Sequence, residues 1–253
     1  MNLLIDWGNT FLKYMIFDTS LDIESQLSIG KVKKTDSLNR LVSELSKIGA
    51  KNTISMAYIS SVRKSLDNEQ LSSILHKLKI SSTFVKTEKT GGHITCAYEK
   101  FETLGVDRWL TIVATQPSKK TIGIVDIGTA ITLDVVSKNG QHLGGQIAPG
   151  KQLLLDSLKA TNRILVSEQQ VDIDENLLGV STNECVKFGV DQMIQGYLEN
   201  SISEVTRHHQ VEQWIFTGGG GGYWCKKLSV SQNNHYTYDG LLVFRGLIKY
   251  IDY

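Results

Sequence analysis

One short pattern occurs twice in this chain, and it limits the folds open to it. Leu3-Leu4-Ile5-Asp6 is an apolar run ending in an acid, Trp7-Gly8-Asn9-Thr10 is a turn of small and polar residues, and residues 11–17 form a second apolar run. Ile122-Gly123-Ile124-Val125-Asp126, then Ile127-Gly128-Thr129, then residues 130–136 repeat it. Glycine and small polar residues between two apolar runs predict a tight antiparallel hairpin. A single Asp-x-Gly tip is an ordinary good turn. Two copies, each on the leading strand of its half, predict a duplicated architecture. In it, backbone N–H groups of two facing turns meet polyphosphate oxygens, and the aspartates hold the cation that bridges them. The sequence has no Gly-x-x-x-x-Gly-Lys-Ser/Thr loop and no Gly-x-Gly-x-x-Gly opening a helix, which removes the commoner nucleotide-binding loops.

Between the copies the periodicity alternates. Leu38, Leu41, Val42, Leu45 and Ile48 recur at helical spacing, a strand is predicted over 53–60, and Leu71, Ile74, Leu75 and Leu78 mark a second amphipathic helix. A strand over 83–86, a loop through Gly91-Gly92 and a helix from about Thr103 to before Pro117 follow. Thr115-Gln116-Pro117-Ser118-Lys119-Lys120 separates two periodic regions and predicts subdomains over 1–117 and 118–253. Beyond the second hairpin the sequence predicts a strand through Gly144-Gly145-Gln146-Ile147 and a helix from about Gly150. A long helix over 182–202, a strand at Trp214-Ile215-Phe216, a glycine run from Gly218 to Gly222 and a last helix from about Asp239 complete the chain.

A hydrophobic fraction of 41% over 253 residues is enough for a sizeable core. A net charge of +1 offers no field for nucleic acid or an anionic membrane, and the runs Lys31-Val32-Lys33-Lys34 and Ser118-Lys119-Lys120 read as solvated loops. Cys96, Cys185 and Cys225 are odd in number and widely spaced, against a disulfide framework or a zinc site. With no basic leader and no membrane-length apolar segment, the expected location is the cytoplasm. His208-His209 is expected to be a solvated pair in a polar loop rather than a metal site. Gly189 and Gly196, seven apart, predict a close helix-packing face.

The segments Asp6 to Lys13, Gly105-Val106-Asp107-Arg108 and Asp126 to Asp134 together resemble the type III pantothenate kinases, also described as Bvg accessory factor-like proteins. Further blocks agree in the same order: Gly144 to Gly150, Gly179-Val180-Ser181-Thr182, Thr217-Gly218-Gly219 and Asp239 to Leu247. The resemblance implies an α/β protein of the actin-like ATPase (ribonuclease H-like) fold, with two duplicated subdomains, an interdomain cleft and a homodimer whose interface lies at or near Gly189 and Gly196. It implies ATP-dependent phosphorylation of pantothenate to 4'-phosphopantothenate, the entry to coenzyme A, with Mg²⁺ and a monovalent cation, K⁺ or NH₄⁺.

By the same resemblance Asp107 is the general base, Arg108 clamps the substrate carboxylate, and Tyr98, Gly105, Val106 and Thr182 complete the pantothenate site. Asp6, Trp7, Gly8, Asn9, Thr10, Phe11, Leu12 and Lys13 form the ATP-binding stretch, in which Asp6 holds Mg²⁺ through water and Lys13 adds positive charge. Asp126 is the monovalent-cation ligand, Thr129 an ATP contact, and the glycines from Gly218 pass close to adenosine. Each role makes chemical sense: a carboxylate orients the attacking hydroxyl, and a guanidinium fits a carboxylate bidentately where lysine would not. Arg63 stands where the family pattern leads one to expect proline. Two alternatives remain open in the sequence: an actin-like kinase for another small hydroxyl compound, and a nucleotide-binding regulatory protein without turnover.

Overall fold

The structure is a computed structural model that describes residues 1–18, 33–35, 37–49, 54–116, 118–160, 178–229 and 235–251. Expectations for Lys31, Val32 and Pro117 lie outside the described residues. The chain divides into two compact units. One comprises Met1–Ser118, Val136–Gly144 and Leu241–Tyr253, and the other Lys119–Val135 and Gly145–Gly240.

In the first unit β1 (Asn2–Trp7), β2 (Leu12–Phe17), β3 (Lys33–Thr35), β4 (Met56–Ser61) and β5 (Ser81–Phe84) form one sheet in the order β3-β2-β1-β4-β5. The continuous run Leu3-Leu4-Ile5 puts β1 at the centre, because only a strand covered on both faces buries successive residues completely. It pairs antiparallel with β2, placing Asp6 opposite Lys13, and parallel with β4, placing Asp6 beside Ser60. Leu3 and Ile5 pack with Leu41 and Leu45 of α1 (Leu38–Gly49) and Leu71 and Leu75 of α2 (Ser65–Lys77). Leu4 on the opposite face packs with Leu110 of α3 (Val106–Ala114) and Phe244 and Leu247 of α7 (Leu242–Ile248). A Cβ at Gly246 would collide with the Leu110 carbonyl, so glycine is what lets α7 lie against α3.

A second sheet repeats the plan, within the second unit apart from Val136 and His142–Gly144, which belong to the first. β8 (Ile122–Ile127), β9 (Ala130–Val136), β10 (His142–Pro149), β11 (Gln213–Thr217) and β12 (Tyr236–Tyr238) are ordered β10-β9-β8-β11-β12, with β8 parallel to β11 and β11 parallel to β12. Its core gathers Val125, Leu198, Trp214, Phe216 and Trp224, with contributions from α4 (Lys151–Lys159), α5 (Thr182–His209) and α6 (Gly221–Ser229). Counted from its own first strand, each sheet reads 3-2-1-4-5. This duplicated order is the ribonuclease H-like arrangement of the actin-like ATPase fold.

Several elements differ from the sequence expectation. Lys33 and Lys34, expected in a solvated loop, belong to the edge strand β3, and a charged edge is protected from pairing with other chains. β12 and the small pair β6 (Thr90–Gly91) and β7 (Ile94–Thr95) were not expected, and β5 lies two residues earlier than 83–86. The helix expected from Thr103 is broken into a 3₁₀ turn (Phe101–Thr103) and α3, with Gly105 between them. Helix α5 runs on to a left-handed Gln210, which places His208 and His209 in its last turn rather than in a loop; His208 Nε2 is 3.8 Å from Glu204. Among the described residues no helix is long and apolar enough to cross a membrane.

Candidate active site

The turn after β1 is closed by the Gly8 N–H donating to the Phe11 carbonyl at 3.1 Å, which leaves Asn9, Thr10 and Phe11 exposed at the tip. Trp7 ends β1 half-buried, and Leu12 is buried at the start of β2. Asp6 lies at the C-terminal end of the strand and is buried, with the Lys13 ammonium 3.5 Å from its carboxylate. Burial raises the pKa of Asp6; Lys13 lowers it, the negative charge of Asp107 raises it, and the balance stays upward. Asp6 and Asp107 therefore share one electrostatic neighbourhood within the first unit.

A raised folded-state pKa means that the Asp6 contribution to stability is fully present below the unfolded value, about 3.9, and is lost as pH rises through the folded value. Above the unfolded value the upward shift works against folding. Asp6→Asn is expected to melt higher than the wild type at pH 7.5, with the gain shrinking toward pH 4, while phosphoryl transfer is lost. Thermal melts across pH check this, and a lower melting temperature for the variant at pH 7.5 would refute it.

Asp107 and Arg108 lie in the first turn of α3, which Gly105 precedes as N-cap. A Cβ on Gly105 would sit 2.6 Å from Asp107 Oδ1, so this glycine makes room for the carboxylate itself. Asp107 Oδ1 accepts the Arg108 N–H at 2.8 Å. Val106 packs against the Leu4 cluster and fixes the first helical turn. Arg108 is buried, which excludes a surface salt bridge as its main role. Its Nη1 donates to the Tyr98 hydroxyl at 3.1 Å, and its guanidinium carbon lies 5.8 Å from the centre of the Tyr98 ring.

His142, fully buried, stacks on Tyr98 with ring centres 6.2 Å apart, and its Nδ1 accepts the Ala97 N–H at 3.4 Å. It supports the tyrosine that supports the arginine. Nothing in the sequence marks this residue, since a histidine opening a strand has many ordinary uses and its partner lies 45 positions away.

In the second unit Asp126 is next to last in β8, the Gly128 N–H donates to the Ala130 carbonyl at 2.9 Å, and Thr129 is exposed at the tip. Two backbone segments crowd this turn. The Gly150 N–H donates to the Thr129 carbonyl at 3.0 Å, and a Cβ at Gly150 would lie 2.6 Å from that oxygen. The Gly220 N–H donates to the Ile127 carbonyl at 2.9 Å, and Gly218, at φ +81°, would drive a Cβ into the Asp126 carboxylate. The glycine run is thus a turn that leads into α6 at Gly221, not a slack segment. Thr182 is the exposed first residue of α5, behind a side-chain cap: the Glu184 N–H donates to Ser181 Oγ at 3.3 Å, and the Val180 N–H, one residue before the cap, donates to Glu184 Oε2 at 2.8 Å.

The donor chemistry suits hard cations. Among the described residues no cluster of three or more His, Cys, Asp or Glu forms a metal cage. Mg²⁺ commonly binds through one or two carboxylates, waters and substrate phosphates, and a cation beside the buried Asp6, with Asp107 adding negative charge, would find a matching donor set. Asp126, with neighbouring carbonyl oxygens, presents only hard oxygen donors.

Two ribonuclease H-like units, each with an aspartate closing its first strand before a turn of small residues, define an actin-like ATP-dependent phosphotransferase. A family model described as type III pantothenate kinase matches residues 2–204, and the chain belongs to that family. The type III pantothenate kinase of Pseudoalteromonas translucida is 33% identical over 253 residues, covering 98% of this chain and 94% of its own length. That of Pseudoalteromonas atlantica is 29% identical over 252 residues, covering 98% and 96%. A solved Baf family protein from Campylobacter jejuni superposes with a TM-score of 0.61 at 22% identity, covering 99% of this chain and 97% of its own, and agrees in fold.

Proposed function

We propose that this chain transfers the γ-phosphoryl group of ATP to the primary hydroxyl of pantothenate, giving 4'-phosphopantothenate for coenzyme A synthesis in the cytoplasm. The observation that carries this is the opening of α3, where the Asp107 carboxylate accepts the Arg108 N–H and the buried Arg108 guanidinium donates to the Tyr98 hydroxyl. Pantothenate bears its primary alcohol at one end and its carboxylate at the other, so a site for it needs both a base and a cationic clamp.

In this scheme Arg108, braced by Tyr98, grips the substrate carboxylate, and Thr182 adds a hydroxyl contact from the start of α5. Asp107 accepts a hydrogen bond from the substrate hydroxyl and takes its proton as the oxygen attacks the γ-phosphorus. The bond from that phosphorus to the β–γ bridging oxygen breaks, and ADP leaves. Backbone donors of the turns 8–10 and 127–129 hold the phosphates, with the Thr129 hydroxyl as a further contact and Lys13 near the donor side. Asp6 would hold Mg²⁺ through water and Asp126 a monovalent cation; bound there, these ions neutralise the charge that develops on the phosphates. The expectation of a homodimer is supported by α5, where an added Cβ at Gly189 or Gly196 would meet nothing among the described residues and Met193 between them is 61% exposed.

A coupled assay that follows ADP release with ATP, Mg²⁺, K⁺ and pantothenate tests reaction, acceptor and cation together. Turnover is expected with pantothenate and not with a panel of sugars, and it should collapse when Na⁺ replaces K⁺. Turnover with sugars alone would overturn the acceptor, and indifference to the cation would remove Asp126 from its role.

A further inference from the structure

The residue that stands in place of the expected proline makes contacts a proline could not. Arg63 Nη1 donates to the Asn9 carbonyl at 2.9 Å and Nε to Asp67 Oδ2 at 3.0 Å, and the guanidinium carbon lies 5.7 Å from the centre of the Trp7 ring. Its own backbone is tied down: the Arg63 N–H donates to Ser61 Oγ at 3.2 Å, Ser61 Oγ donates to Asn68 Oδ1 at 2.6 Å, and the Val62 N–H donates to the Trp7 carbonyl at 3.2 Å. One guanidinium thus ties α2 to the tip of the first hairpin.

Asn9 and Thr10 are exposed beside a recess of about 260 Å³ that they border with Trp7, Thr35, Ser37 and Arg63, and the guanidinium reaches the Asn9 carbonyl across it. A peptide group is planar and trans, so the Asn9 carbonyl and the Thr10 N–H point in opposite directions from one rigid plate. Holding the carbonyl therefore aims the N–H.

We propose that Arg63 is a positioning residue for nucleotide binding: its hydrogen bond to Asn9 orients the Asn9–Thr10 peptide so that the Thr10 N–H is aimed at the donor phosphates before they arrive. This rests on the turn being a phosphate loop, as in the function proposed above. A donor already aimed needs no ordering when the ligand binds, which strengthens binding without adding a contact to the ligand. The Arg63–Asp67 ion pair has about a third of each side chain exposed, at 34% and 31%, and such pairs contribute little to stability. The expected signature is weaker nucleotide binding with an almost unchanged fold.

Lysine keeps the charge but cannot donate in two fixed directions, so Arg63→Lys should behave like Arg63→Ala. Calorimetric titration of both variants with a non-hydrolysable ATP analogue and Mg²⁺ is expected to show affinity weaker by roughly fivefold to twentyfold, the scale of one charge-assisted hydrogen bond. KM for ATP should rise in parallel and KM for pantothenate stay within about twofold, while the melting temperature moves by no more than about 2 °C. Wild-type analogue affinity in Arg63→Ala or in Arg63→Lys would overturn the proposal. So would equal rises in both KM values together with a large fall in melting temperature, which would mark a general structural role. The titration needs no turnover, so Arg63-dependent binding in a chain that fails to phosphorylate pantothenate would reject the proposed reaction and retain this inference.

Discussion

Asp107→Asn is expected to lower kcat for pantothenate phosphorylation by about two to four orders of magnitude, the usual contribution of a positioned general base. The amide keeps the local structure: its oxygen can still accept the Arg108 N–H now bonded at 2.8 Å, and the space opened by Gly105 is unchanged. The lost property is the ability to take a proton from the attacking hydroxyl. Removing this charge also removes the Asp107 influence that raises the Asp6 pKa. Turnover at the wild-type rate in a folded variant would exclude Asp107 as the base.

Arg108→Lys is expected to raise KM for pantothenate roughly tenfold to a hundredfold, the range for hydrogen bonds to a charged group, with KM for ATP nearly constant. Lysine has neither the planar fork that meets two carboxylate oxygens nor the reach to donate to the Tyr98 hydroxyl at the same time. The decisive comparison uses the uncharged amide analogue of pantothenate. Wild-type protein should prefer the acid strongly, and the variant should lose most of that preference. A preference that survives the substitution would place the carboxylate elsewhere.

Much of the fold can be read from the chain because its strongest signals are local. Leu3-Leu4-Ile5 and Ile122-Gly123-Ile124-Val125 are long enough in apolar character to demand central strands, and the turns after them carry their own small residues. The amphipathic spacing of α1 and α2 is equally self-contained. β3 and β12 are three residues each, and what makes them strands is the neighbour they pair with rather than their own composition. The end of α5 was misplaced for a related reason: the polar segment after Ile202 stays helical to a left-handed Gln210.

The candidate site divides in the same way. Asp6, Asp107, Arg108 and Asp126 sit in short motifs whose chemistry is visible residue by residue. The features around them involve distant partners. Tyr98 lies 10 positions from Arg108, His142 45 from Ala97, and Arg63 54 from the Asn9 carbonyl it holds. Lys13 faces Asp6 only because the hairpin register puts it there.

The sequence by itself determined the duplicated hairpins, the α/β class and the acidic and basic groups of the chemistry, since each is written in contiguous residues or short periods. Only the tertiary structure decided that the closing helix α7 packs in the first unit against α3, that the buried Arg108 meets Tyr98, which stacks on His142, and that Arg63 reaches the Asn9 carbonyl. Those outcomes depend on which distant surfaces exclude water together and which buried donors find acceptors, and no local pattern encodes that choice.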